Sequence, residues 1–174
     1  MKKSAVITTI TCALALFMSL NMQAQKFAKL DASPLDISYL RASRNETPTA
    51  KVIYSRPQLK GRSLDKLAPN GKVWRTGANE AAEIKFYKDV TFGGKAVKAG
   101  TYALYTIPGE SEWTIILSND TDVWGSYNYS ESKDVLRVKA PVTTGDAVEA
   151  FSIAFDGGKM YLAWDTTRVA VPVK

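Results

Sequence analysis

The sequence predicts an all-β fold, an antiparallel β-sandwich of about ten short strands. Three observations predict it. Short β-rich windows alternate apolar and polar residues, Gly, Pro and Asn turn signals separate them at short spacing, and no window carries a convincing helical period.

The first residues set the compartment. Met1, Lys2 and Lys3 make a cationic start, residues 5–20 form an apolar run broken only by small hydroxyl residues and Cys12, and Met22, Gln23 and Ala24 offer a small-residue cleavage site. This is the layout of a cleaved secretory signal peptide. The run is short for a bilayer span, and no later segment approaches the ~20 apolar residues that a spanning helix needs. Cys12 lies inside the run and not after it, so a lipid-anchoring cysteine at the cleavage point is not expected. The chain therefore divides into a signal peptide (1–24), a tether (25–35) and a single sandwich domain (36–174), exported to the periplasm or beyond the cell. Cleavage after Ala24 leaves 150 residues, and because Lys2 and Lys3 leave with no acid the formal charge falls from +6 to +4. A domain of this size buries roughly 70% of its unfolded surface. It needs no disulfide, and none is available after Cys12 is removed.

Each element has a local reason. In residues 36–40, Ile37 and Tyr39 alternate with Asp36 and Ser38, and residues 50–55 carry Val52, Ile53 and Tyr54 before Pro57 ends the run. Residues 58–70 are loop, with turns at Lys60-Gly61 and Pro69-Asn70-Gly71 and room for one helical turn within 61–67. Ile84 and Phe86 face one side of 82–88. Gly93-Gly94 joins 90–92 to 95–97 as a two-residue hairpin turn. After Gly100, residues 101–107 run to the Pro108-Gly109 turn, and the unbroken apolar run 113–117 reads as a strand covered on both faces. Further strands are expected at 123–129, 134–139, 148–155, 160–164 and 169–173, with Asp156-Gly157-Gly158 as a hairpin and Pro172 marking an edge.

The segments YSRPQLKGR (54–62), GKVWRTGANE (71–80), AGTYALYTIPG (99–109), EWTII (112–116) and WGSY (124–127) occur in that order. In this the chain resembles an exported bacterial family catalogued as domain of unknown function 2911, from about Ser33 to the C-terminus. The resemblance implies a β-sandwich and an exported location. It carries no established activity and transfers no catalytic residue.

Composition excludes several chemistries. With no histidine, and Cys12 the one cysteine, Ser-His-Asp and Cys-His machinery and His- or thiolate-ligated metal sites are ruled out of the mature chain. The glycine pairs open no helix, so no phosphate loop or dinucleotide fingerprint is present. No cofactor and no metal site is expected. Asn119-Asp120-Thr121-Asp122, the one oxygen-rich cluster, reads as a turn. An exported chain without a basic helix is not expected to bind nucleic acid.

What remains is carboxylate chemistry, a lysine nucleophile, oxygen-ligated calcium or plain binding. The window 71–80 packs glycines, Trp74, Arg75, Asn79 and Glu80 together, and between Arg56 and Arg75 six cations face the single acid Asp65. A convergent guanidinium pair would fork an anion. Aromatic faces stack on sugar rings while an amide and a carboxylate fix their hydroxyls. The candidate ligand site is thus Arg56, Arg75, Asn79 and Glu80 rimmed by Tyr102, Trp124 and Tyr127, for a small polar or anionic ligand. The alternative tasks for these residues are structural: Arg75 paired to Glu80 at a corner, and Trp74, Trp113 and Trp164 in the core. Tyr127 and Tyr129, two apart, would share a strand face. Three readings fit: a non-catalytic carbohydrate- or anion-binding or scaffolding module, a glycan or ester hydrolase using Glu80 with a second acid such as Glu83 or Asp165, and a purely structural envelope protein. The oligomeric state is not fixed by these residues.

Overall fold

Local alternation builds nine strands, and a computed structural model describes them over residues 26–174. The expected signal peptide, with Cys12 and the cleavage site after Ala24, lies outside the described residues. Asp31–Lys174 forms one compact unit. The strands are β1 (Leu35–Leu40), β2 (Ala50–Ser55), β3 (Ala82–Phe86), β4 (Val90–Phe92), β5 (Lys95–Val97), β6 (Gly100–Ile107), β7 (Glu112–Ser118), β8 (Asp134–Asp156) and β9 (Lys159–Pro172). A single helical turn, α1 (Leu64–Leu67), sits in the loop after β2, and a 3-10 turn at Glu131–Lys133 precedes β8. Among the described residues no helix is long and apolar enough to cross a membrane.

Seven strands form one antiparallel sheet in the order β1-β2-β3-β6-β7-β8-β9, with β4-β5 as a separate hairpin. β8 is 23 residues long and serves two neighbours: residues 134–141 pair with β7, and residues 142–156 pair with β9. The ladder shifts register twice between Thr144 and Ser152, which bends β8 and curls the sheet. Its far half then meets the segment after β2, where Leu59 N–H donates to Glu149 O (3.0 Å) and Phe151 N–H to Pro57 O (2.9 Å). The β4-β5 hairpin extends the second layer, with Gly93 N–H on Pro172 O (2.8 Å) and Thr91 N–H on Lys174 O (2.7 Å). Gly93 takes φ 56, and a Cβ there would come within 2.8 Å of the Val138 side chain, so the hairpin requires glycine on two counts.

Two expectations are corrected. The four short strands expected across 134–173 are two long ones, because a bent extended run can keep its partner through a register shift. Residues 123–129 are turns and not a strand, since Asp122 (φ 59) and Gly125 (φ 71) take left-handed backbone that no ladder accommodates. Tyr127 and Tyr129 therefore do not share a strand face.

The core lies between the two layers. Trp74 packs edge-on to Trp113 (6.2 Å) and Phe151 (4.9 Å) and stacks on Trp164 (5.4 Å). Each such indole removes about 200 Å² from water, worth about 5 kcal/mol. The indole N–H of Trp164 donates to Glu149 O (3.1 Å). β7 is buried on both faces as expected: Trp113, Ile115 and Leu117 face the main core, whereas Ile116 joins Ala81, Ala103 and Tyr105 in a second cluster beneath Val73, Val123 and Tyr129.

Tyr54 fastens the layers. Its hydroxyl accepts Ile153 N–H (2.9 Å) and donates to Ile153 O (3.2 Å), capping both backbone groups of a buried residue. Tyr54→Phe strands those groups, so the urea midpoint falls by the equivalent of about 1–3 kcal/mol with an unchanged m-value. An unshifted midpoint in equilibrium unfolding would show the pair to be satisfied otherwise.

Candidate functional site

Residues 71–82 are placed by the core. Trp74 exchanges backbone hydrogen bonds with Thr106 (2.7 and 2.9 Å), which fixes the indole inward. The chain then leaves the sheet and returns, with Ala82 N–H on Arg75 O (2.9 Å) closing the loop. Thr76 (φ 55) and Asn79 (φ 62) both take left-handed backbone. For a β-branched residue this costs about 1–3 kcal/mol. Buried Thr76 is held there by its hydroxyl on Thr106 Oγ1 (3.3 Å). Gly77 passes so close to β2 that a Cβ would lie 3.0 Å from Ser55 O.

A second segment, residues 119–133, lies over the outer face of β6 and β7. It reaches the first through a short antiparallel bridge between Glu80 and Trp124, flanked by Gly125 N–H on Asn79 O (3.0 Å) and Ala81 N–H on Val123 O (3.0 Å). Bridge partners put their side chains on the same side. Glu80 and Trp124 therefore project to one side of the bridge, and Trp124 is 62% exposed. Tyr127, 81% exposed, folds over Gly125, where a Cβ would meet its ring at 2.6 Å. Beside this corner is a hollow of about 240 Å³ with Leu35, Ile53 and Val123 as apolar wall and Glu80, Glu83 and Asp122 as polar lining. Glu83 Oε1 accepts Asp122 N–H (2.7 Å), holding the left-handed residue in place.

The seven sequence-expected residues do not form one constellation. Asn79, Glu80, Trp124 and Tyr127 gather at the corner. Arg56 belongs to the clamp between layers, bound to Asp36 (3.1 Å), Phe151 O (3.1 Å) and Ser152 Oγ (2.6 Å). Tyr102 is in the core against Phe86, its hydroxyl donating to Lys98 O (3.0 Å). Arg75 forms no ion pair with Glu80 among the described residues, and its Nε is buried without a partner. Asp165 is placed on β9 and does not line the hollow. Glu83 was legible as an acid on a strand; Asp122 was read as part of a turn, and nothing local marks it as a wall of the hollow. Among the described residues no three His, Cys, Asp or Glu side chains stand close enough to hold a metal ion.

Residues 38–173 match the family described as protein of unknown function, DUF2911. The chain belongs to that family. No curated protein and no solved structure matches it.

In this DUF2911 chain the corner is anchored by a half-buried polar cluster under the second segment. Tyr129 stands edge-on to Tyr105 (5.1 Å) and donates to Asp134 Oδ2 (2.6 Å). Arg137 donates to the same carboxylate through Nε (2.6 Å) and to the Tyr129 hydroxyl through Nη2 (2.6 Å). Burial, with Asp120 and Asp134 nearby, pushes the Tyr105 phenol up to about 12. Burial and the bond to Asp134 likewise push Tyr129 up to about 12.

Two outcomes follow from these environments. Each phenol loses its proton in the unfolded chain near 10.0 but in the folded chain only near 12. Their stabilisation is complete below pH 10.0 and is lost as pH climbs to about 12. Burial also raises the Tyr54 phenol, so a phenolate absorbance titration should find three late tyrosines, and Tyr129→Phe should remove one of them. For Arg75, an unpartnered buried donor costs about 1–3 kcal/mol, so Arg75→Met should leave the unliganded protein as stable or about 1 kcal/mol more stable in urea unfolding.

Proposed function

We propose that this protein is an exported, non-catalytic module that holds a small hydroxyl-rich ligand, a carbohydrate, at the corner formed by Trp124 and Glu80. One observation carries the reading: Trp124, 62% exposed, is joined by a backbone bridge to Glu80, and Glu80 lines the adjacent hollow. A large aromatic side chain at that exposure is unfavourable in water, and its face matches the apolar face of a sugar ring. Glu80, Asp122 and the free oxygen of Glu83 supply acceptors for sugar hydroxyls. The same three carboxylates repel an anion, so at this hollow the carbohydrate is favoured over the anionic ligand. Export rests on the cationic start and apolar run before Gln25.

Backbone strain supports a binding role. Among the described residues, Thr76, Asn79 and Asp122 are three of the five non-glycine residues with positive φ, and all border this corner. Such conformations persist where the surroundings hold them, and they cluster at ligand clamps.

The test is calorimetric titration of the protein with a panel of mono- and oligosaccharides. Trp124→Ala should weaken the bound sugar about thirtyfold or more while moving the unfolding midpoint by less than about 0.5 kcal/mol. No bound sugar, or equal affinity in the variant, would remove the corner as a site. A second reading, carboxylate-dependent hydrolysis, is favoured by one feature: Glu80 and Glu83 line the same hollow. Turnover of a glycan or ester that Glu80→Gln abolishes without loss of binding would establish it instead.

A further inference from the structure

The molecule carries a second concavity, lined by lysines where the first is lined by carboxylates. β8 and β9 are paired as far as Val142 and Val169 and then part, because β8 turns to β7 while the end of β9 is taken by β4. In the fork lies a groove of about 680 Å³. Its sides are Ala140 and Pro141 on one strand and Ala170, Val171 and Pro172 on the other, and the β4-β5 turn closes one end where Gly93 packs on Val138. Three lysines, Lys139, Lys159 and Lys174, line it. Lys139 is paired with Glu112, whereas Lys159 and Lys174 have no carboxylate partner among the described residues. An adjoining hollow of about 470 Å³ shares Gly93 and Lys139 and adds Lys95 and Arg137.

The nature of the occupant follows from what the walls lack. A peptide strand added at a parting of two strands needs ladder hydrogen bonds. Pro141 and Pro172, one on each wall, have no N–H to give, and lysine and proline together are the residues that keep strands off an exposed edge. Pro141, Ala170 and Pro172 present accessible apolar side chains, with Ala140 and Val171 turned into the core behind them, and the lysines offer positive charge at the rim. We infer that the fork takes a single-chain anionic amphiphile, a long-chain fatty acid: its hydrocarbon chain lies along Pro141, Ala170 and Pro172, and its carboxylate sits among Lys139, Lys159 and Lys174. This site is separate from the Trp124 corner and does not depend on a sugar binding there.

The experiment titrates the purified protein with saturated fatty acids of increasing length, below their micelle concentrations, by displacement of a fluorescent fatty-acid analogue. One molecule should bind per chain, with affinity rising about fourfold for each added methylene until the groove is filled. The double variant Lys159→Glu, Lys174→Glu should bind about tenfold more weakly, with an unchanged β-type circular dichroism spectrum and unfolding midpoint. Ala170→Trp should occlude the groove, and Trp124→Ala should bind as the natural chain does. Absence of binding, affinity independent of chain length, equal affinity for the methyl ester, or unaltered binding in the lysine double variant would each overturn the assignment.

Discussion

Everything at the corner depends on where Trp74 goes. Its indole is driven into the space between Trp113, Phe151 and Trp164, and the two backbone bonds to Thr106 allow it no other orientation. The chain that follows must therefore leave the sheet at Arg75 and return by Ala82, and the left-handed conformations of Thr76 and Asn79 are the cost of making that excursion in so few residues. Hydrophobic burial of about 5 kcal/mol for one large indole easily exceeds strain of about 1–3 kcal/mol per residue. The exposed Trp124 is held in turn by the returning strand through Glu80, so a buried tryptophan positions an exposed one.

Much of the fold was legible because its signals are local. The Gly93-Gly94 and Gly157-Gly158 pairs both take positive φ in hairpins, and the unbroken apolar run of β7 is buried on two faces. Residues 123–129 misled for a physical reason. Their aromatic content favours strand, but a single left-handed residue on either side of Trp124 is enough to turn the chain, and backbone sign is not written in side-chain hydrophobicity. β8 misled differently: strands were expected to stop at 139 and resume at 148, yet the chain runs on between them, and Gly145 is the bare point over which the Arg168 side chain lies, at 3.1 Å from an added Cβ.

The site was legible as two windows and illegible as a shape. GKVWRTGANE and WGSY each stood out, and they are joined by the Glu80–Trp124 bridge. Arg56 and Tyr102 come from two other motifs, YSRPQLKGR and AGTYALYTIPG, and do not reach the corner, because strand alternation and layer crossing decide which way they face: one goes into the clamp with Asp36 and Ser152, the other into the core against Phe86. The lysine-lined fork could not be found by any window. Lys139, Lys159 and Lys174 come from β8, from the start of β9 and from two residues beyond β9's end, and each alone is an ordinary surface lysine.

The shared strand β8 has a consequence for how the chain acquires its shape. The bonds that shut the sheet upon itself join Tyr54 to Ile153 and Arg56 to Phe151, separations of 99 and 95 residues. Closing loops of that length comes late and slowly, since their entropy must be lost before any contact rewards it. A ribosome releases the strands from β1 onward, so until the far half of β8 has emerged the nascent chain is an open, untwinned sheet with its tryptophans uncovered. For that interval its apolar faces and unpaired strand edges lie open to other unfinished chains.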